Sequence, residues 1–206
     1  MTFPNKEFKS AGSFGQAYFE QLSRAGESVS PASLDAAGAL LGDAYERRAT
    51  VFVCGNGGSA AISNHLVCDH LKGVQTDTTL RPRVVSLSSN IETITAIAND
   101  ISYDDVFVYQ FSTMAEAGDV LVTISSSGNS ENIVRAAEWA KANGCPVIAL
   151  TGFDGGRSAV LADVNLHVDA DNYGIIEDTH QSLMHILAQY LRLQRMDAGL
   201  IPERKF

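Results

Sequence analysis

Residues 51–71 read VFVCGNGGSAAISNHLVCDHL, and this stretch decides the fold. The apolar run at 50–55 has the composition of a buried strand. It ends in three glycines and a serine within residues 55–59, and glycines permit a tight bend with close backbone approach. A helical pattern at 59–73 follows. A strand, a glycine-rich bend and a helix in this order predict one unit of a parallel α/β fold with a binding loop.

Similar strand patterns recur along the chain, at 83–88, 119–125, 146–152 and 164–169. Helical patterns separate or follow them, at 92–98, 104–116, 130–143 and 176–195. Runs that are apolar on both faces and are separated by helices form parallel sheets covered on both sides. The sequence therefore predicts a three-layer, doubly wound α/β/α fold with five parallel strands in a flavodoxin-like winding.

Two further blocks of helical spacing, between residues 13 and 48, predict two extra N-terminal helices. We expect a single domain over 1–206, in which 1–48 serves oligomer contacts and 49–206 forms the α/β core with the C-terminal helix. The last helix must turn polar side chains toward a site while also displaying the apolar stretch LMHILAQYL. Such surfaces usually pack on a partner subunit, so the sequence predicts a homo-oligomer.

Composition excludes several classes of protein. The chain has 206 residues, of which 45% are apolar, and its net charge of −9 with only 15 basic residues disfavours nucleic-acid binding. No apolar run approaches the roughly 20 residues of a membrane span, and the N-terminus lacks the pattern of a secretory signal. We therefore expect a cytoplasmic protein without nucleic-acid or membrane partners. The three cysteines, without CxxC spacing, predict reduced thiols in the core.

Two loops that follow predicted strands have the composition of an anion site. The first contains Asn56, Gly57 and Ser59, and the second, SSSGNSEN at 125–132, contains four serines and precedes a helix. Backbone N–H groups at a helix N-terminus and serine hydroxyls favour a phosphate. Neither loop has the lysine of a Walker motif or the GxGxxG of a dinucleotide site. The alternative for each loop is an ordinary turn with a capping serine.

Metal-like spacing occurs on two predicted helices. His65 and Asp69 are four residues apart and share a helix face, and Glu177, His180 and His185 lie on the last helix. Imidazole and carboxylate groups are suitable ligands for zinc. The alternative is a set of solvated polar residues on amphipathic helices. The choice depends on whether the two helices meet, which periodicity does not reveal.

Five segments together resemble a known family: CGNGGSAAISNH, TAIAND at 95–100, GDVLVTISSSGNSENI, ALTGFDGG and HQSLMHILAQYL. They are similar to the phosphoheptose isomerase branch of the sugar isomerase (SIS) domain family over nearly the whole chain. The resemblance implies a homotetramer with active sites built across subunit contacts. It also implies aldose–ketose isomerisation of sedoheptulose 7-phosphate to a D-glycero-heptose 7-phosphate.

The resemblance assigns residues to roles. The implied substrate-binding residues are Asn56, Gly57, Ser59, Asn99, Asp100, Ser125, Ser126, Ser127 and Ser130. The implied ligands of one zinc ion are His65, Asp69, Glu177 and His185. This chain departs from the family pattern at two of these ligand positions, since Asp69 stands in place of Glu and Glu177 in place of Gln. Gly174 also stands where the family usually has a pocket aspartate, and SLSSN lacks the aspartate common after the second strand.

The departures suggest an exchange of catalytic roles. We expect Glu177, the longer side chain, to act as the base of an enediol mechanism while Asp69 binds the metal and His185 exchanges protons with the substrate oxygens. One alternative is a non-catalytic SIS module, either a sugar-phosphate sensor or a replication-initiator-associating protein. Another is an isomerase of a different phosphosugar.

Overall fold

Five strands form one fully parallel sheet, namely β1 Thr50–Gly55, β2 Arg83–Ser86, β3 Val120–Ser125, β4 Val147–Thr151 and β5 Val164–His167. The computed structural model describes residues 2–206, and within them the spatial order of the strands is β2-β1-β3-β4-β5. Every predicted strand is present and every pairing is parallel. The predicted α/β class and five-stranded sheet are confirmed.

Eight α-helices surround the sheet within the described residues. They are α1 Ala11–Ser28, α2 Pro31–Glu46, α3 Gly58–Cys68, α4 Ile91–Asp100, α5 Val106–Met114, α6 Glu131–Ala142, α7 Gly156–Leu161 and α8 Tyr173–Arg195. The two predicted N-terminal helices are α1 and α2. None of the helices in residues 2–206 combines the length and the apolar character that a membrane crossing requires.

Alternating side chains divide the core into two parts, one on each face of the sheet. Along β1, Val51 and Val53 pack with the core under α1, α2, α3 and α8, whereas Phe52 and Cys54 pack with the core under α4, α5 and α6. Successive side chains of a strand point to opposite faces, so a strand buried on both faces is apolar throughout. This arrangement accounts for the continuous apolar runs in the sequence and confirms the three layers.

The strand order creates a crevice between β1 and β3. The chain passes from β1 outward to β2 and then returns to the other side of β1 to form β3. Ligands of doubly wound sheets bind at the carboxyl ends of the strands where the winding reverses in this way. Gly55 at the end of β1 is paired in register with Ile124, the residue before the end of β3. The two loops singled out in the sequence therefore emerge side by side.

Three local features differ from the sequence expectation. The helix predicted over 59–73 is α-helical only to Cys68 and continues as a π-helical turn, Asp69–Val74. The short α7 was not predicted, because its positive-φ residues Gly155 and Gly156 resemble a turn in sequence. Cys54 and Cys145 are buried thiols as predicted, but Cys68 is exposed because it lies at the end of α3 away from the core.

Candidate active site

The loop between β3 and α6 lines a small polar cavity of about 140 Å³. It presents serine hydroxyls and the N-terminal backbone of α6 at the carboxyl edge of the sheet. The lining residues are Asn56, Ser59, Ile124, Ser125, Ser126, Ser127, Ser130, Tyr173 and Glu177. We call this space the serine cavity. All five serines that were predicted to bind phosphate line this cavity.

Ser126 indicates what kind of ligand suits the serine cavity. Its hydroxyl oxygen is buried and lacks a hydrogen-bond partner among the described residues. Burial of a hydroxyl without a partner is unfavourable, so such groups usually serve a ligand or water. The neighbouring Ser125 hydroxyl accepts the backbone N–H of Gly128 at 3.2 Å, which fixes the turn. Hydroxyls and backbone donors arranged around a helix N-terminus suit an anion with several oxygen atoms.

Two glycines allow the loops to approach their neighbours closely. Gly128 has φ 62° and faces the carbonyl oxygen of Gly155 so closely that a side chain there would collide with it. Gly58, at the start of α3, lies against Glu177, and a β-carbon at Gly58 would be only 2.7 Å from Glu177 Cδ. The glycine of the first loop therefore permits a carboxylate of α8 to pack on the first turn of α3.

Glu177 is the acidic residue of the serine cavity. Burial raises the pKa of its carboxyl group, and the nearby Asp178 carboxylate raises it further. Asp178 itself accepts a hydrogen bond from the Tyr18 hydroxyl at 2.7 Å. A carboxylate with a raised pKa is a better general base near neutral pH than an ordinary glutamate. A ligand bound in the serine cavity would lie beside this carboxylate.

A second polar group forms where α8 packs against α3 and the π-helical turn. Asp69 Oδ1 is 3.3 Å from His65 Nε2, and Asp69 Oδ2 is 2.8 Å from His185 Nδ1. Potential ligand atoms of these three residues all lie within 4.8 Å of one another, so the set fits a divalent metal ion. We call His65, Asp69 and His185 the His–Asp–His group. The Gln181 side chain contacts both histidines.

The other histidines of the two helical segments are structural. His70 is fully buried and shares a short hydrogen bond with the Tyr45 hydroxyl. The Nε2 atom of His180 faces the carbonyl oxygen of Thr151 at 3.2 Å. Burial lowers the pKa of each to about 4, so both are neutral at physiological pH. Neither belongs to the His–Asp–His group.

The sequence matches the profile of the SIS domain over residues 16–152. The chain belongs to the SIS domain family. It is 38% identical over 182 residues to the phosphoheptose isomerase of Colwellia psychrerythraea, an alignment that covers 82% of this chain and 90% of that protein.

Two solved structures resemble this SIS domain closely. The phosphoheptose isomerase of Neisseria gonorrhoeae superposes with a TM-score of 0.81 at 32% identity, covering 88% of this chain and 98% of that one. The enzyme of Francisella tularensis superposes with a TM-score of 0.81 at 28% identity, covering 88% and 95%. The predicted phosphoheptose isomerase branch is confirmed, and the SIS domain is an enzyme of the isomerase class.

Some predicted site residues of this SIS domain lie elsewhere. Glu177 lines the serine cavity and lies outside the His–Asp–His group. Asn99 and Asp100 are exposed at the end of α4, where the Asn99 amide donates to Asp100 Oδ1 at 2.7 Å. They do not line the serine cavity. Asn56 does, and its side-chain oxygen accepts from the Tyr103 hydroxyl at 2.9 Å.

Sequence reasoning missed Tyr173 and Gln181 in this SIS domain. Tyr173 lines the serine cavity from the start of α8, three residues before the predicted start of that helix at 176. Gln181 lies four residues after Glu177 and four before His185, so helical spacing alone could have nominated it. Only the packing of α8 on α3 distinguishes it from the other polar residues of the helix.

Proposed function

We propose that this SIS domain is an aldose–ketose isomerase that converts sedoheptulose 7-phosphate to a D-glycero-heptose 7-phosphate. The names of its relatives support the reaction. The structural support is the position of two functional side chains on α8. The helix turns Glu177 toward the serine cavity and, eight residues later, His185 toward His65 and Asp69. Eight helical residues span about 12 Å. A sugar phosphate bound along α8 would place its phosphate among the serines and its reacting carbons between Glu177 and the His–Asp–His group.

In this proposal the substrate phosphate binds in the serine cavity. Helix α3 contributes Ser59, and the loop between β3 and α6 contributes Ser125, Ser126, Ser127 and Ser130. The unpartnered Ser126 hydroxyl and the N-terminus of α6 supply neutral donors. Because remote phosphate binding also positions the reacting carbons, this cavity should affect turnover as well as affinity.

The His–Asp–His group would hold one divalent metal ion, with zinc the expected identity. Two imidazoles and a carboxylate are the ligand set of many catalytic zinc sites, which leave a further position open. When bound, such an ion would polarise the oxygen atoms of the substrate. Asp69 contacts Nδ1 of His185, and Gln181 contacts Nε2. Because both ring nitrogens are engaged, we assign His185 to holding the metal rather than to free proton exchange.

Glu177 is the group that we assign to proton transfer. Isomerisation moves a proton between adjacent carbons through an enediol, and this step needs a base. Glu177 is the carboxylate of the serine cavity, its pKa is raised by burial, and it is not part of the His–Asp–His group. Asp69 is instead held between two histidines, which suits a ligand more than a base.

Separate assays of Glu177→Gln and Asp69→Asn test these roles. Glu177→Gln should keep its metal and lose about 10²–10⁴-fold in turnover, which is the usual contribution of a general base. Asp69→Asn should lose metal affinity together with activity. If only Asp69→Asn abolishes turnover and its metal content is unchanged, the assignment of roles fails. An inactive, metal-free wild-type protein that binds the phosphosugar would favour the sugar-phosphate-binding alternative.

We also propose that the protein is a homotetramer with sites near subunit contacts. Phe19 on α1 is 69% exposed, and Ile186, Tyr190 and Leu193 on α8 are 47%, 41% and 40% exposed. Exposed apolar side chains on the two helices that flank the site support a partner subunit there. Light scattering at micromolar concentration should give four times the monomer mass. A monomer that is fully active would remove this part of the proposal.

A further inference from the structure

Gln181 contacts the two histidines on the side away from Asp69. Its Nε2 atom is 3.3 Å from His65 Nδ1 and 3.0 Å from His185 Nε2. Asp69 contacts the other nitrogen of each ring, His65 Nε2 and His185 Nδ1. Each imidazole is therefore held between a carboxylate on one side and an amide on the other.

The hydrogen bonds of this arrangement are self-consistent without a metal ion. A neutral imidazole has one N–H donor and one acceptor nitrogen, and a carboxylate only accepts. The nitrogen that faces Asp69 in each ring then carries the proton, and the outer nitrogen is the acceptor. A glutamine amide has two N–H donors, so Gln181 can donate to both outer nitrogens at once.

Metal binding on the side of Asp69 would reverse this pattern. A metal binds the unprotonated nitrogen of an imidazole, so ligation on the side of Asp69 leaves the proton on the outer nitrogen of each ring. Gln181 must then accept two hydrogen bonds instead of donating them. Its amide oxygen has two lone pairs, and a half-turn of the amide exchanges oxygen for nitrogen at the same position.

We propose that Gln181 is a positioning residue that holds both imidazole rings and matches either tautomer by turning its amide. This inference rests on the metal site of the proposed function. Partners on the outer nitrogen of a ligating histidine fix the ring orientation and raise its basicity as a ligand. A glutamine is uncharged and can serve as donor or acceptor, so it suits both the metal-free and the metal-bound group.

Zinc affinity measured by competition with a chromophoric chelator tests the inference without an activity assay. Gln181→Leu should weaken zinc binding by about 10–100-fold, the usual effect of removing such a partner. Gln181→Glu keeps the acceptor, so it should bind zinc at least as tightly as the wild type. Gln194→Leu makes the same change on an exposed part of α8 and should have no effect. Equal zinc affinities of Gln181→Leu and the wild type would overturn the inference, as would equal weakening by Leu and Glu.

The ring ¹⁵N signals of the wild-type protein give a second readout that does not depend on a variant folding. In the metal-free protein we expect protonated His65 Nε2 and His185 Nδ1, and after zinc addition we expect protonated His65 Nδ1 and His185 Nε2. An unchanged pattern on zinc binding would overturn the inference. His65→Ala separates the two levels of the argument, because stoichiometric zinc in that variant would remove the metal site itself.

Discussion

The serine cavity and the His–Asp–His group are built in different ways. Four of the nine residues that line the cavity belong to one short loop, 125–130, whose shape depends on the positive φ of Gly128. The His–Asp–His group depends on a contact between residues 116 positions apart, Asp69 and His185. A backbone conformation therefore controls one end of the site, and the packing of two helices controls the other.

The two regions also differ in charge. The residues that line the serine cavity include no lysine or arginine, and their one ionisable carboxylate is Glu177. An anion there depends on neutral donors and on the dipole of α6. The His–Asp–His group combines a carboxylate with two imidazoles, which suits a cation. In the proposed function, anion binding and cation binding are therefore separated along α8.

The largest effect is expected on turnover when the His–Asp–His group is altered. His65→Ala should remove the metal and lower turnover by about 10³-fold or more, because polarisation by a metal contributes several kcal/mol to such reactions. Metal analysis and a coupled assay of the same preparation provide the measurement. Ser182→Ala, an exposed change on α8 that removes only a bond to the helix backbone, should retain both properties. Full activity of His65→Ala after chelation would show that the His–Asp–His group is an ordinary set of polar surface residues.

The next largest effect is expected on the free energy of unfolding when the backbone of the loop 125–130 is altered. Gly128→Ala places a side chain at φ 62° against the Gly155 carbonyl, which should lower the free energy of unfolding by roughly 2–5 kcal/mol. Gly26→Ala is the matched control, because that exposed glycine of α1 has open space around it. Helix propensity predicts that the control gains up to about 1 kcal/mol. Chemical denaturation measures both, and equal stability of Gly128→Ala and the wild type would show that the loop is not constrained.

A smaller effect is expected when hydroxyl groups of the serine cavity are removed. Replacing Ser125 and Ser130 by alanine together should raise KM about 10–100-fold, because the remaining donors compensate in part and the net loss is then about that of one hydrogen bond to a charged group, roughly 1.5–3 kcal/mol. Turnover should fall as well if phosphate binding positions the sugar. Steady-state kinetics on the phosphosugar give both values. Unchanged kinetics in the double variant would remove the phosphate assignment.

The smallest effect is expected on the stability contributed by Glu177. Its pKa is raised on folding, so the folded protein favours the protonated form and the charged form costs stability as pH rises above the ordinary glutamate value of about 4.3. Glu177→Gln should therefore stabilise the fold slightly at pH 7, and this gain should vanish below that value. The side chain is partly exposed, which keeps the effect small. Thermal unfolding at pH 7 and pH 4 measures it, and a variant less stable than the wild type at pH 7 would contradict the prediction.

The sequence predicted the fold and the position of the serine loop after β3, because both depend on local patterns. The apolar run before Gly55 and the serines after β3 could be assigned to strands and loops from composition and spacing alone. The two short features that escaped prediction, α7 and the π-helical turn after Cys68, are irregular or glycine-rich, and periodicity does not describe such segments well.

The grouping of His65, Asp69 and His185 could be predicted only in part. The spacing of His65 and Asp69 was visible, and the resemblance supplied His185 as their partner. Residues 177 and 181 both lie near the face of His185 in helical projection. Their separate placement, Glu177 at the serine cavity and Gln181 beside the histidines, follows from how α8 crosses α3. Sequence spacing contains no information about that crossing.

Turnover of sedoheptulose 7-phosphate by the purified protein, measured before and after removal of bound metal, tests the central claim most directly. The claim is that the serine cavity holds the phosphate while the His–Asp–His group holds a metal needed for isomerisation. We predict conversion to a heptose 7-phosphate that is lost on chelation and restored by added zinc. Undiminished conversion after complete removal of metal, or no conversion by the zinc-loaded protein, would contradict the account.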